Sequence, residues 1–105
     1  MSNTKFTGTG VAIITPFNSD NSVDYPALER ITENCVKGKL NYIVALGTTG
    51  EPVTLTKSEK TEVIHSIVKT VSKRIPIVIG ISGNNTAEVV DAIKSADLHN
   101  IDGIL

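Results

Sequence analysis

Residues Tyr42 to Glu51 read YIVALGTTGE, an apolar run that stops abruptly at Gly-Thr-Thr-Gly and an acid. A short run nearly continuous in Val, Ile, Leu and Ala, rather than alternating with polar residues, predicts a parallel strand buried on both faces. Three other runs read the same way: Val11–Thr15 (VAIIT), Ile75–Ile81 (IPIVIGI) and Ile101–Leu105 (IDGIL). Their starts recur at the spacing of strand–helix units, roughly 30 residues.

Segments of helical period lie between the runs. The first carries Leu28, Ile31 and Cys35, the second Val63, Ile64, Ile67, Val68 and Val71, and the third Val89, Val90, Ile93 and Ala96. Asp24 ahead of Pro26 reads as an N-cap with proline in the first turn, where its missing N–H costs little. Thr56-Lys57-Ser58-Glu59 reads as a capping box, and Asn85 to Glu88 as a weaker version of one. Gly38 stands where a left-handed residue would end the first helix. Right-handed crossovers then wind the units into a (β/α)-barrel or an open doubly wound sheet.

The sequence reaches Leu105 within the fourth predicted strand. The expectation is therefore an α/β chain forming the N-terminal half, about three and a half βα units, of a (β/α)8 TIM barrel. Residues 1–105 would be part of one barrel domain. A self-contained flavodoxin-like domain would normally add a fifth strand and further helices.

Composition narrows the function classes. The chain has 105 residues, 40% hydrophobic and 20% charged, with a formal net charge of −1. There is no basic excess to attract phosphate backbones, and Phe6, Phe17, Tyr25 and Tyr42 are too few to build a base-stacking surface, so nucleic acid is not an expected partner. The N-terminal stretch MSNTKFTGTG has no apolar signal core, and no run approaches the ~18 residues of a membrane span, so the expected compartment is the cytoplasm. Cys35 has no second cysteine to pair with and reads as a small core residue.

In either architecture the chemistry lies at the C-terminal ends of the strands. That selects Thr15-Pro16-Phe17, Gly47-Thr48-Thr49-Gly50-Glu51 and Ser82-Gly83-Asn84-Asn85. These segments hold hydroxyls, amides and glycines but no histidine or cysteine and no cluster of acids, so no metal site is expected. Gly47–Glu51 has two readings: a turn whose threonines cap their own backbone, or a cradle of N–H and hydroxyl donors for a small carboxylate. Its flanking glycines would allow tight turning and close approach of a ligand.

Nucleotide readings fail on context. Gly8-Thr9-Gly10 precedes a strand instead of following it, and Gly47–Gly50 lacks Walker or Rossmann spacing. His65 and His99 lie away from the strand ends. The lysines, of which Lys57 comes nearest, offer no dry pocket to lower an amine pKa for imine formation.

The stretches GTGVAIITPF, VALGTTGEPVTLTKSEK and RIPIVIGISGNNTAE resemble the N-terminus of the dihydrodipicolinate synthase family. These are pyruvate-dependent, lysine Schiff-base (β/α)8 enzymes of diaminopimelate and lysine biosynthesis. The resemblance runs from about Gly8 to the end of the chain, over roughly the first third of the family's length. In the sister N-acetylneuraminate lyases the motif usually begins with serine, and sugar-acid aldolases depart from its final glutamate.

The resemblance implies that pyruvate and L-aspartate semialdehyde are the substrates, with no cofactor, in a full-length protein that is typically a homotetramer. It gives Thr48 a proton-relay role and Thr49 the pyruvate carboxylate, bound through hydroxyl and N–H. Glu51 would hold the loop in shape. Asn84 and Glu88 match the family's feedback site for lysine. Pro52, Val53, Lys57 and Lys60 replace the small or histidine residues of lysine-sensitive members, which implies weak or absent inhibition. The imine-forming lysine, both relay tyrosines and the arginine for the aldehyde substrate belong to family segments beyond Leu105. The 105-residue chain alone is thus expected to be inactive. The alternatives are an N-acetylneuraminate lyase or sugar-acid aldolase of the same superfamily, and a non-catalytic half-barrel scaffold.

Overall fold

The structure is a computed structural model that describes residues 5–105. Of the N-terminal stretch read as lacking a signal core, residues 1–4 lie outside the described residues. The elements run β1 (Gly10–Ala12), α1 (Tyr25–Lys37), β2 (Tyr42–Ala45), α2 (Lys57–Val71), β3 (Ile77–Ile79), α3 (Thr86–Ser95) and β4 (Gly103–Ile104), with two 3-10 turns, Thr48–Gly50 and Pro52–Thr54, between β2 and α2. The strands form one parallel sheet in the order β1-β2-β3-β4. Val11 lies opposite Ile43, Val44 opposite Val78, and Ile79 opposite Ile104.

The strands are shorter than their apolar runs. Ladder bonds nevertheless continue past them, from Ile13 N–H to the Val44 carbonyl at 3.0 Å and from Ile81 N–H to the Leu105 carbonyl at 3.1 Å. Pro76 cannot donate to the ladder and precedes β3, where its carbonyl accepts from Ile43 N–H at 3.1 Å.

Burial on both faces, expected from the near-continuous apolar runs, does not hold within the described residues. Ile43, Ala45, Ile77 and Ile79 are buried, whereas Val44 and Val78 are half-buried and Ala12 is exposed. The helices cover one face. There Leu28 of α1 and Val63, Ile67 and Val71 of α2 join the buried strand residues in one cluster. Full burial of a side chain of this size contributes about 1.5–3 kcal/mol. No α3 residue is buried.

The caps form as the sequence predicts. Asp24 Oδ1 accepts from Ala27 N–H at 3.0 Å. Thr56 Oγ1 accepts from Glu59 N–H at 3.1 Å, while Glu59 Oε1 accepts from Thr56 N–H at 2.8 Å. Asn85 Oδ1 accepts from Glu88 N–H at 3.1 Å.

The end of α1 differs from expectation. Gly38 is right-handed (φ −73°) and the left-handed residue is Lys39 (φ 62°). Lys39 N–H donates to the Val36 carbonyl at 3.1 Å and Leu40 N–H to the Cys35 carbonyl at 3.3 Å. This is the Schellman pair, with lysine where glycine is usual. Cys35 is half-buried, and burial pushes its thiol pKa up. No helix among the described residues is long and apolar enough to cross a membrane.

Candidate functional site at the end of β2

Because β2 and β3 are parallel neighbours, Thr48, Thr49, Asn84 and Glu88 all follow strand C-terminal ends on the same side of the sheet. After Ala45 the chain turns sharply: Leu46 is left-handed (φ 56°) yet 4% exposed, and Gly47 is extended (φ −70°, ψ 178°). The Thr48–Gly50 turn is closed by Gly50 N–H to the Gly47 carbonyl at 2.8 Å and Glu51 N–H to the Thr48 carbonyl at 3.0 Å. Glu51 is again left-handed (φ 56°), and its carbonyl accepts from Thr54 N–H at 3.0 Å and Thr54 Oγ1 at 2.8 Å.

Neither flanking glycine supplies the conformational freedom that the sequence suggested. The left-handed positions are Leu46 and Glu51, one residue outside the glycines at each end. Gly50 is buried, and a Cβ added there would lie 3.4 Å from the Ile13 carbonyl oxygen and from Thr15 Oγ1. The turn therefore rests on the chain leaving β1, where Thr15 is 4% exposed.

Thr48 and Thr49 are both exposed. Among the described residues their hydroxyl and N–H groups make no hydrogen bond; the threonine that caps the local backbone is Thr54. A short helical turn leaves its first N–H groups unpaired. With two hydroxyls beside them, four neutral donors stand together at a strand's carboxyl end, an arrangement suited to a small anion.

Asn84 and Glu88 are exposed where the chain leaves β3 and enters α3. No hydrogen bond or ion pair joins either to Thr48 or Thr49 among the described residues. His65 is exposed on α2, 3.9 Å from Asp97. No group of three metal-ligating side chains occurs among the described residues. A cavity of about 420 Å³ lies at the opposite end of the sheet, lined by Lys5, Lys73, Arg74, Ile77, Asn100 and Asp102. Three of its charged residues are already paired, Lys5 with Asp102 at 2.8 Å and Arg74 with Glu33 at 2.9 Å.

Sequence reasoning passed over Leu46 and Gly80. Gly80 N–H donates to the Ala45 carbonyl at 2.8 Å, which brings the end of β3 against the start of the turn. A signal was available, since an isolated glycine inside an apolar strand run points to close backbone approach.

A sequence profile of the Dihydrodipicolinate synthetase family matches residues 5–105. The chain belongs to this family. The 4-hydroxy-tetrahydrodipicolinate synthase of Flavobacterium psychrophilum is 47% identical over 100 residues, covering 95% of this chain and 34% of that protein. The crystal structure of dihydrodipicolinate synthase from Aquifex aeolicus matches with a TM-score of 0.84 at 40% identity, over 94% of this chain and 33% of that one. N-acetylneuraminate lyase from Mycoplasma synoviae matches with a TM-score of 0.85 at 28% identity, over 97% of this chain and 36% of that one. The chain thus spans about a third of the length of the curated relatives it matches. Its parallel α/β sheet corresponds to the N-terminal part of the family's (β/α)8 barrel.

Proposed function

We propose that these residues supply the pyruvate-binding turn of a cytoplasmic lyase that condenses pyruvate with L-aspartate semialdehyde, giving hydroxytetrahydrodipicolinate on the way to diaminopimelate and lysine. The observation that carries this reading is the set of unpaired N–H and hydroxyl donors at Thr48 and Thr49, exposed at the carboxyl end of β2.

In this chemistry a lysine amine adds to the ketone carbon of pyruvate and water leaves, giving an iminium. Loss of a methyl proton gives the enamine, whose carbon attacks the aldehyde, and the product cyclises. Thr49 holds the pyruvate carboxylate through its hydroxyl and N–H, neutral donors that bind it without a fixed countercharge. Thr48 passes protons through its hydroxyl. The lysines of this chain stand outside the strand ends and none is buried. The imine-forming lysine therefore belongs to the part of the family's length that this chain does not span, and the 105 residues alone are inactive. Asn84 and Glu88 contribute to a feedback site for lysine that Lys57 and Lys60 weaken.

The test is borohydride trapping of a pyruvate adduct. A chain completed to the relatives' length traps pyruvate and condenses it with the semialdehyde, whereas residues 1–105 do neither. Specific trapping on a lysine of the short chain would overturn the assignment. The similarity to a neuraminate lyase supports a second reading, in which the same turn serves a sugar-acid acceptor; assaying both aldehydes in the completed chain separates the two.

A further inference from the structure

Leu46 is the residue that needs an explanation at this site. A non-glycine residue persists in the left-handed region only where its surroundings over-determine it. Two contacts do so here. The Leu46 side chain is drawn into the core, 4% exposed. The Leu46–Gly47 peptide lies against Gly80 on the neighbouring strand. A Cβ built on Gly80 would stand 2.3 Å from the Leu46 carbonyl oxygen, 2.9 Å from its carbon and 3.1 Å from Gly47 N. All three atoms are backbone, so no side chain can swing aside. The hydrogen bond from Gly80 N–H to the Ala45 carbonyl, 2.8 Å, fixes residue 80 at that level. A Cβ on Gly47 itself would meet only Val44 Cγ1, at 3.6 Å.

We infer that Gly80 is the positioning residue for the Thr48–Thr49 turn. Its missing side chain admits the Leu46–Gly47 peptide, and that peptide sets where the two threonines present their donors. The identity of the ligand, pyruvate, rests on the proposed function; the placement of the turn does not.

Alanine at position 80 must push the Leu46 carbonyl away by about 1 Å to reach an ordinary contact, and a misplacement of that size can cost about 100-fold in rate. The test compares Gly80→Ala with Thr49→Ala and with Val71→Ala, a core truncation near the other end of the sheet, each in a chain of the relatives' length. For Gly80→Ala the expected result is a rise of tenfold or more in pyruvate KM at unchanged aldehyde KM. Its crystal structure should show the Leu46 carbonyl and both threonines displaced. Val71→Ala should lower Tm and leave pyruvate KM alone.

A Gly80→Ala variant with an unmoved turn, or with pyruvate kinetics no worse than those of Val71→Ala, overturns the inference. If Thr49→Ala proves silent, the pyruvate reading fails, while a displaced turn in Gly80→Ala still supports the positioning role. Should Gly80→Ala not fold, isotope-labelled unsubstituted protein gives the answer. Pyruvate should then shift the Gly80 amide resonance together with those of Thr48 and Thr49, and an unmoved Gly80 resonance overturns the inference.

Discussion

Arg74 grips Glu33 with both arms of its guanidinium, Nη1 to Oε2 at 2.9 Å and Nη2 to Oε1 at 3.0 Å. Two further donors reach backbone, Nε to the Val71 carbonyl at 2.8 Å and Nη2 to the Thr70 carbonyl at 2.6 Å. One side chain thus ties α1 to the C-terminal end of α2 and satisfies the Thr70 carbonyl, which the helix end leaves unpaired.

That geometry requires a planar fork. Arg74→Lys should lower Tm by a small but measurable amount in thermal unfolding, because an ammonium cannot reproduce bidentate pairing. Arg74→Ala should lower it further. The Arg74 hydrogen bond, followed by its charge and that of Lys37, outweighs burial and holds the Glu33 carboxyl below its ordinary value. A depressed carboxylate pKa means the contribution is complete above the unfolded-state value. It is lost as pH falls through the lower folded value. The difference between Arg74→Ala and the parent should therefore be largest at neutral pH and shrink at acid pH, where only the bonds to the Val71 and Thr70 carbonyls remain.

Lys39 holds the left-handed position that closes α1 (φ 62°). Glycine adopts that conformation without a Cβ penalty, although it also adds freedom to the unfolded chain. Lys39→Gly should stabilise the protein by about 0.5–1 kcal/mol, read as a raised denaturant midpoint at unchanged slope. A lowered midpoint would contradict the Schellman assignment.

The two threonines of the turn should separate in steady-state kinetics. On the proposed function, Thr49→Ala removes one of two donors to a charged group, a loss of about 1.5–3 kcal/mol, and should appear mainly as a higher pyruvate KM. Thr48→Val keeps the shape and removes the hydroxyl to which the proposed function gives the proton relay. It should lower kcat by about 10²-fold or more with little change in pyruvate KM. Identical kinetic signatures would refute the division of roles.

Lysine should inhibit the completed enzyme weakly or not at all. Lys57 is exposed and Lys60 half-buried on the first turn of α2, and an added ammonium opposes a cationic ligand. The measurement is initial rate against lysine concentration. Strong inhibition in the submillimolar range would show that Asn84 and Glu88 bind lysine despite these charges.

Much of this architecture is legible in the residues themselves. The apolar runs mark all four strands because parallel strands carry few polar residues. Asp24, Thr56 and Asn85 mark helix starts because capping is a local bond between a side chain and an N–H a few residues on. The motif Gly-Thr-Thr-Gly-Glu points to the site because hydroxyls crowd the end of a strand. The strand limits are less legible, since a ladder bond depends on the partner chain as well as on the residue.

What the sequence by itself determined is the alternation of elements, the caps and the place of the donor-rich turn. Only the tertiary structure decided which residues bear the bend. Local preference assigns left-handed backbone to glycine, and the sequence offers Gly47 and Gly50 at the turn and Gly38 beside Lys39. The chain instead bends at Leu46, Glu51 and Lys39. At Leu46 the physical reason is long-range: burial pulls the leucine inward, and a bare Gly80 on the neighbouring strand leaves room for the peptide that follows.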